Sequence, residues 1–274
     1  MVGGAETGGA TPKRLDHAVE RALNMRVSDL SVLTLAGAAA ALLILRARRA
    51  KRLLKTSTAQ DSATKLNVIC LHGLAGNAKS CERAFGHLRA RCAKIANFSF
   101  VESPHEFREN FTNLDYEHLR AENLSAETRT WFDPTKSNEK WGFPESVAQV
   151  SKFADHIGGV HVLLGYSQGG LFLASTIAYK EEMFPKLMGA VFVHADDFHY
   201  TPPGMNLTNL GSVKTLHIIG DNDKTVAPSR SSNLCGRFAS HEAVHHPGGH
   251  GPNDIPLERI HSFLASLREQ LLEC

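Results

Sequence analysis

No two of the chain's five cysteines, Cys70, Cys81, Cys92, Cys235 and Cys274, stand in a CxxC pair, and their number is odd. That excludes a disulfide framework and a structural zinc site, and it fits a reducing compartment. The chain is also short of net charge, at +2 over 274 residues. Six of its 30 basic residues, Arg46, Arg48, Arg49, Lys51, Arg52 and Lys55, crowd into one stretch, and the acidic residues, 28, outnumber the basic ones in the remainder. The basicity is therefore local, which argues against a nucleic-acid surface. Internal repeats are missing as well. With 42% hydrophobic and 21% charged residues, the chain has material for one sizeable core.

Long apolar runs are scarce too. One charge-free run, 30–45, reads LSVLTLAGAAAALLIL. As a helix it spans roughly 24 Å against about 30 Å of hydrocarbon, with Arg46 able to snorkel. The basic cluster behind it would stay cytosolic, so the expectation is a single-pass signal-anchor at 30–45 with the rest of the chain facing the cytosol. A buried or interfacial helix and a cleaved organelle-targeting segment are the competing readings, with cytoplasmic or mitochondrial locations; Glu6, Asp16, Glu20 and Asp29 count against a transit peptide. Within 1–29, Thr11 as N-cap, Pro12 at N1 and the stripe Leu15, Val19, Ala22 and Leu23 predict a short amphipathic helix. Residues 46–65 form a basic linker.

From residue 66 to the C-terminus, short apolar runs alternate with helical stretches, which predicts an α/β domain with a mostly parallel sheet. Strands are expected at 66–71, 94–101, 161–165, 189–194, 213–220 and 241–246. Helices are expected at 78–91, 145–157, 169–182, 229–238 and 256–271, the last with Leu257, Ile260, Phe263, Leu264, Leu267 and Leu271 on one face. The segment 104–145 has no period and is too long for an ordinary connection. It holds both tryptophans and seven aromatics, namely Phe107, Phe111, Tyr116, Trp131, Phe132, Trp141 and Phe143. Such a segment packs on something, either as a lid or pocket wall or as an insertion stapled to the domain.

The motif GYSQGG, 165–170, follows an apolar run and opens a helical one. Strand, tight turn and helix make a nucleophile elbow, with glycines clearing room around Ser167. A serine hydroxyl needs a base to take its proton and a carboxylate to hold that base. Two acids, Asp221 and Asp223, follow the strand at 213–220, and His250 lies in the glycine-rich loop HHPGGHGP. The position G-x-x-D selects Asp223 over Asp221. His245 and His246 lie on a strand and read as structural. The pair His246 and His250 does not form a metal site, because Pro247, Gly248 and Gly249 preclude the helix that would align them. For an oxyanion, the N–H of Gln168 and that of Leu74, in the loop CLHGLAGN, are the expected donors, with His72 and Asn77 ordering the loop.

With these residues assembled, the chain from about residue 64 onward resembles the FSH-type serine hydrolases, a compact branch of the α/β-hydrolases. The likeness rests on LHGLAGN (71–77), SPHEF (103–107), RTWF (129–132), GYSQGG (165–170), GDNDKTV (220–226) and HPGGH (246–250). It implies about six mostly parallel strands flanked by helices; the N-terminal helical membrane segment expected before them is not part of the resemblance. It implies catalytic positions at Ser167, Asp223 and His250, and a substrate pocket bordered by His105, Phe107, Trp131 and Phe132. It further implies hydrolysis of acyl esters or thioesters, free or carrier-bound, through an acyl-enzyme and without a cofactor. Acyl-protein thioesterases share the elbow and the LHGL start, and an acyltransferase would use the same intermediate; a non-catalytic binding module has no need of all these parts. VHADDF, 193–198, departs from the small Ser-Gly turn that the resemblance leads one to expect.

Overall fold

Six apolar runs become six strands in the computed structural model, which describes residues 65–107, 128–133, 142–197 and 210–273. They are β1 (Leu66–Leu71), β2 (Ala96–Val101), β5 (Val162–Tyr166), β6 (Gly189–Val193), β7 (Lys214–Gly220) and β8 (His241–His246). All neighbours pair in parallel, in the order β2-β1-β5-β6-β7-β8. The central strands are buried on both faces, and that is why they read as continuous apolar runs rather than alternating ones. Edge strand β8, HEAVHH, is mostly exposed.

Helices α1 (Ala78–Ala84), α2 (Gly86–Arg91), α3 (Phe143–His156), α4 (Gln168–Lys180), α5 (Pro228–Cys235) and α6 (Leu257–Glu273) flank this sheet. On one face Ile69, Leu71 and Leu163 pack with Val147 and Val150 of α3, Phe172 of α4 and Leu234 of α5. On the other, Val68, Cys70, Val162 and Leu164 pack with Leu88 of α2 and with Ile260, Leu264 and Leu267 of α6. The single helix expected at 78–91 is two. Phe85 is both the C-cap of α1 and the N-cap of α2, and its buried ring stands edge-on to Tyr166, 6.1 Å between centroids. Gly86, a poor helix former, follows at the break. At the start of α1, Asn77 and Ser80 form a capping box, each side chain accepting from the other's backbone N–H.

The long aperiodic segment contributes two short strands, β3 (His105–Glu106) and β4 (Arg129–Thr130), paired antiparallel. Trp131 and Phe132 follow β4 into the core. Phe111, Tyr116 and Trp141 lie outside the described residues, as do the expected N-terminal helix, the anchor at 30–45 and the basic linker up to residue 64. Among the described residues no helix is long and apolar enough to cross a membrane. Cys70, Cys81, Cys92 and Cys235 are buried free thiols, and burial pushes Cys81 up to about 12.

The connectivity decides where a site can form. After β1 the chain crosses to β2 on one side, and later returns to β5 on the other. In an open parallel sheet the crevice beyond the carboxyl ends of two such strands is where ligands bind.

Candidate active site

Ser167 stands at that crevice, directly after β5. Its backbone is held at φ 53°, ψ −119°, its N–H donates to Val193 O on neighbouring β6 (2.9 Å), and α4 begins at the next residue. A left-handed non-glycine residue between strand and helix is the strained turn that lifts a side chain clear of the sheet. Two glycines make the turn possible. A Cβ on Gly165 would stand 2.5 Å from Gly169 O, and one on Gly169 would stand 2.5 Å from His72 O.

His250 reaches Ser167 from the loop after β8. Its Nδ1–H donates to Asp223 Oδ2 (2.7 Å), which leaves Nε2 unprotonated to accept from the Ser167 hydroxyl (2.9 Å). Asp223 sits in the turn after β7, and its other oxygen accepts from the N–H groups of Thr225 (2.8 Å) and Val226 (2.9 Å). Burial alone would raise this carboxyl, but the His250 contact and the two backbone donors outweigh it and hold the pKa below the ordinary value. Asp221 lies elsewhere. It accepts from His245 Nδ1 (2.7 Å), both side chains about half exposed.

The loop after β1 runs against the nucleophile. Gly76 N–H donates to Gly73 O (3.0 Å), closing a tight turn with Leu74 and Ala75 at its centre, Ala75 at φ 55°. A Cβ on Gly73 would be 3.0 Å from the Tyr166 ring and 3.3 Å from Ser167 Cβ, so any larger residue would crowd the elbow. Gln168 opens α4, where the first N–H groups have no intrahelical partner. His72 anchors the loop from beneath: it is buried, its Nδ1–H donates to Gly73 O (2.8 Å), and its Nε2 accepts from Ser103 N–H (3.2 Å). Burial holds it neutral, with its pKa lowered to about 4.

Of the residues expected to border a pocket, two are buried and two are partly exposed. Trp131 has no exposed surface, stacks on Phe172 of α4 (4.8 Å, 12°) and donates from Nε1 to His72 O (2.8 Å). Phe132 is buried as well. Both belong to the core cluster that includes Phe172 of α4. His105 donates from Nε2 to Gly142 O (2.8 Å), the left-handed N-cap of α3. Phe107 is partly exposed and extends the β3 pairing through its N–H to Thr128 O (2.9 Å).

Sequence reasoning missed the Gln168 side chain. Buried, it accepts from Trp131 N–H (3.2 Å) and donates to Phe132 O (3.1 Å) and Thr130 Oγ1 (3.0 Å). It ties residues 130–132 to the elbow, and only a partner 38 residues away reveals this. Missed too were Tyr166 and His194, which both donate to the His250 carbonyl. Among the described residues, His194, Asp223 and His250 are the one group close enough to hold a metal, with ligand atoms within 4.8 Å. Asp223 and His250 already spend those atoms on each other and on Ser167.

The family model for serine hydrolase (FSH1) matches residues 61–256, most of the chain and every part of this site. The chain belongs to the FSH1 serine hydrolase family. Among its relatives, Esterase C25G4.2 of Caenorhabditis elegans is 29% identical over 223 residues, covering 77% of this chain and 96% of that protein. Esterase CG5412 of Drosophila melanogaster is 26% identical over 220 residues, covering 75% of this chain and 73% of that one. Among solved structures, the Bacillus cereus carboxylesterase superposes with a TM-score of 0.55 at 18% identity, covering 76% of this chain and 91% of its own. A carboxylesterase from Mesorhizobium loti gives 0.52 at 21%, covering 74% and 91%. These likenesses show that this FSH1-family serine hydrolase has the α/β-hydrolase fold.

Proposed function

We propose that this serine hydrolase cleaves carboxylic esters or thioesters of acyl chains, with Ser167 as nucleophile, His250 as general base and Asp223 as the acid that orients it. The observation that carries the reading is the unbroken run of hydrogen bonds from Asp223 through His250 to Ser167. His250 Nε2 takes the hydroxyl proton as Ser167 Oγ attacks the acyl carbonyl, and Asp223 stabilises the imidazolium that forms. The N–H groups of Leu74 and Gln168 receive the oxyanion. Collapse expels the alcohol or thiol with the proton from His250, and water activated by the same imidazole then releases the acid. No step calls for a cofactor. The ester half of the reading is supported by the relatives' names, and the thioester half by the resemblance of the motifs alone.

A fluorophosphonate probe tests it. Labelling is expected on Ser167 and is lost in Ser167→Ala, with hydrolysis of p-nitrophenyl esters falling by a factor on the order of 10⁶. Folded protein that neither labels at Ser167 nor hydrolyses any ester or acyl-CoA from short to long chains overturns the reading. We further infer that residues 30–45 anchor the chain in a membrane, on the strength of the charge-free run and the basic cluster behind it. Removal of residues 1–60 is expected to shift the protein from the membrane to the soluble fraction with hydrolysis retained.

A further inference from the structure

Two buried histidines that the proposed reaction does not use meet behind His250. His194 follows β6 and His246 ends β8; β7 lies between those strands, and the two rings reach over its end. Their Nε2 atoms are 2.8 Å apart, and neither ring is more than 6% exposed. Two imidazole nitrogens at this distance share one proton, so one donates and the other accepts.

The partners decide which. Gly248 N–H points at His246 Nδ1 (3.2 Å), and a backbone N–H can only donate. His246 Nδ1 is therefore bare, and its proton sits on Nε2. That N–H donates to His194 Nε2. A neutral His194 must then carry its proton on Nδ1, which lies 3.0 Å from the backbone oxygen of His250 and donates to it. Burial, reinforced by neighbouring His250, lowers His194 to about 4, in keeping with a neutral ring. A single arrangement of protons satisfies every contact from Gly248 to His250.

The far end of this chain matters because His250 stands on a loop that its own sequence leaves loose, with Gly248 and Gly249 before it and Gly251 after. Its Nε2 has to stay on Ser167 Oγ nonetheless. The His250 carbonyl is clamped by two donors, the Tyr166 hydroxyl (2.5 Å) and His194 Nδ1–H. His194 is itself held at φ 48°, a conformation unfavourable for a residue with a Cβ, so its neighbours fix its place against the backbone's preference. We propose that His246 and His194 form a positioning relay, in which His246 sets the tautomer of His194 and His194 pins the main chain of His250 so that Nε2 stays aimed at Ser167.

The relay rests on the triad reading, and its test separates the two. Ring ¹⁵N shifts of the full-length protein are expected to show His194 protonated on Nδ1 and His246 on Nε2; a His194 proton on Nε2 overturns the relay whatever the activity. Four variants then read its effect on turnover. Asn tolerates the left-handed backbone, so His194→Asn keeps a donor toward His250 where His194→Phe has none. Likewise His246→Gln keeps an amide donor and His246→Leu does not. In His194→Phe and His246→Leu, kcat is expected to fall by about tenfold with KM within about twofold, the mark of a base held off its aim. His194→Asn and His246→Gln should restore kcat to within about threefold. Equal losses in the donor-keeping and donor-lacking variants, or losses confined to KM, overturn the proposal. A wild-type enzyme that neither labels nor hydrolyses would sink the triad reading, and the ¹⁵N tautomers would still decide the proton order.

Discussion

Asp223 accepts from an imidazole and two backbone N–H groups, and together these offset the cost of burying its charge. It therefore stays ionised across the neutral range and fixes the His250 proton on Nδ1. Asp223→Asn is expected to lower kcat by a factor on the order of 10⁴, because an amide in its place favours the wrong tautomer. Asp221→Asn, at a half-exposed side chain paired with His245, should leave hydrolysis within about twofold. Steady-state assays on the two variants check both statements. In the sequence these carboxylates are two positions apart and chemically alike. They are separated by the turn beyond β7, where Asp223 N–H closes onto Gly220 O (3.2 Å) and the side chain accepts from the N–H groups of Thr225 and Val226, two and three residues on, while Asp221 faces solvent. The G-x-x-D spacing reflects this turn, which is why it points to the same residue.

Elements obey a different constraint, the approach of backbones at the crevice. Strand β1 and helix α4 come so close that a methyl on Gly169 would press on the carbonyls of Leu71 and His72. Gly169→Ala must push α4 away from the loop after β1, so its melting temperature is expected to fall and its fluorophosphonate labelling to be lost together. Gln168→Ala leaves the elbow's backbone alone but unties Thr130, Trp131 and Phe132 from it. Stranded polar groups of this kind cost about 1–3 kcal/mol; denaturant unfolding measures that loss, and a cost below about 0.5 kcal/mol would mean that water replaces the clamp. The elements were unevenly legible. Central strands announce themselves because burial on both faces demands unbroken apolar runs, as VLLGY and GAVFV show. Strands β3 and β4, two residues each, have no such pattern, and the break between α1 and α2 depends on where the Phe85 ring finds its pocket. Contacts across long separations, such as His194 with His246, leave no local trace at all.

At the scale of the whole molecule, this fold commits to burying neutral imidazole. Burial lowers His72 to about 4, His194 to about 4 and His217 to about 3, on three different strand ends or interiors of one sheet. In the unfolded chain each returns to the ordinary value near 6.5, so between pH 6.5 and 4 the unfolded state binds more protons than the folded one. The stabilisation is therefore complete above the unfolded value and is lost as the pH falls through that window. Each histidine costs about 2 kcal/mol of stability on going from pH 7 to pH 5. His217 isolates the effect, because it lies away from the nucleophile, stacked on Phe192 (4.5 Å, 13°) with its Nε2 on Thr215 Oγ1 (3.1 Å). Thr215 Oγ1 also donates to Ser240 O (3.2 Å), so His217→Phe keeps the stack and leaves that hydroxyl a partner. Urea unfolding at the two pH values should then show the variant gaining about 2 kcal/mol on the wild type as the solution is acidified. Curves that fall in parallel would mean that His217 takes up its proton as readily folded as unfolded, which a ring with 2% of its surface exposed does not permit without opening the core.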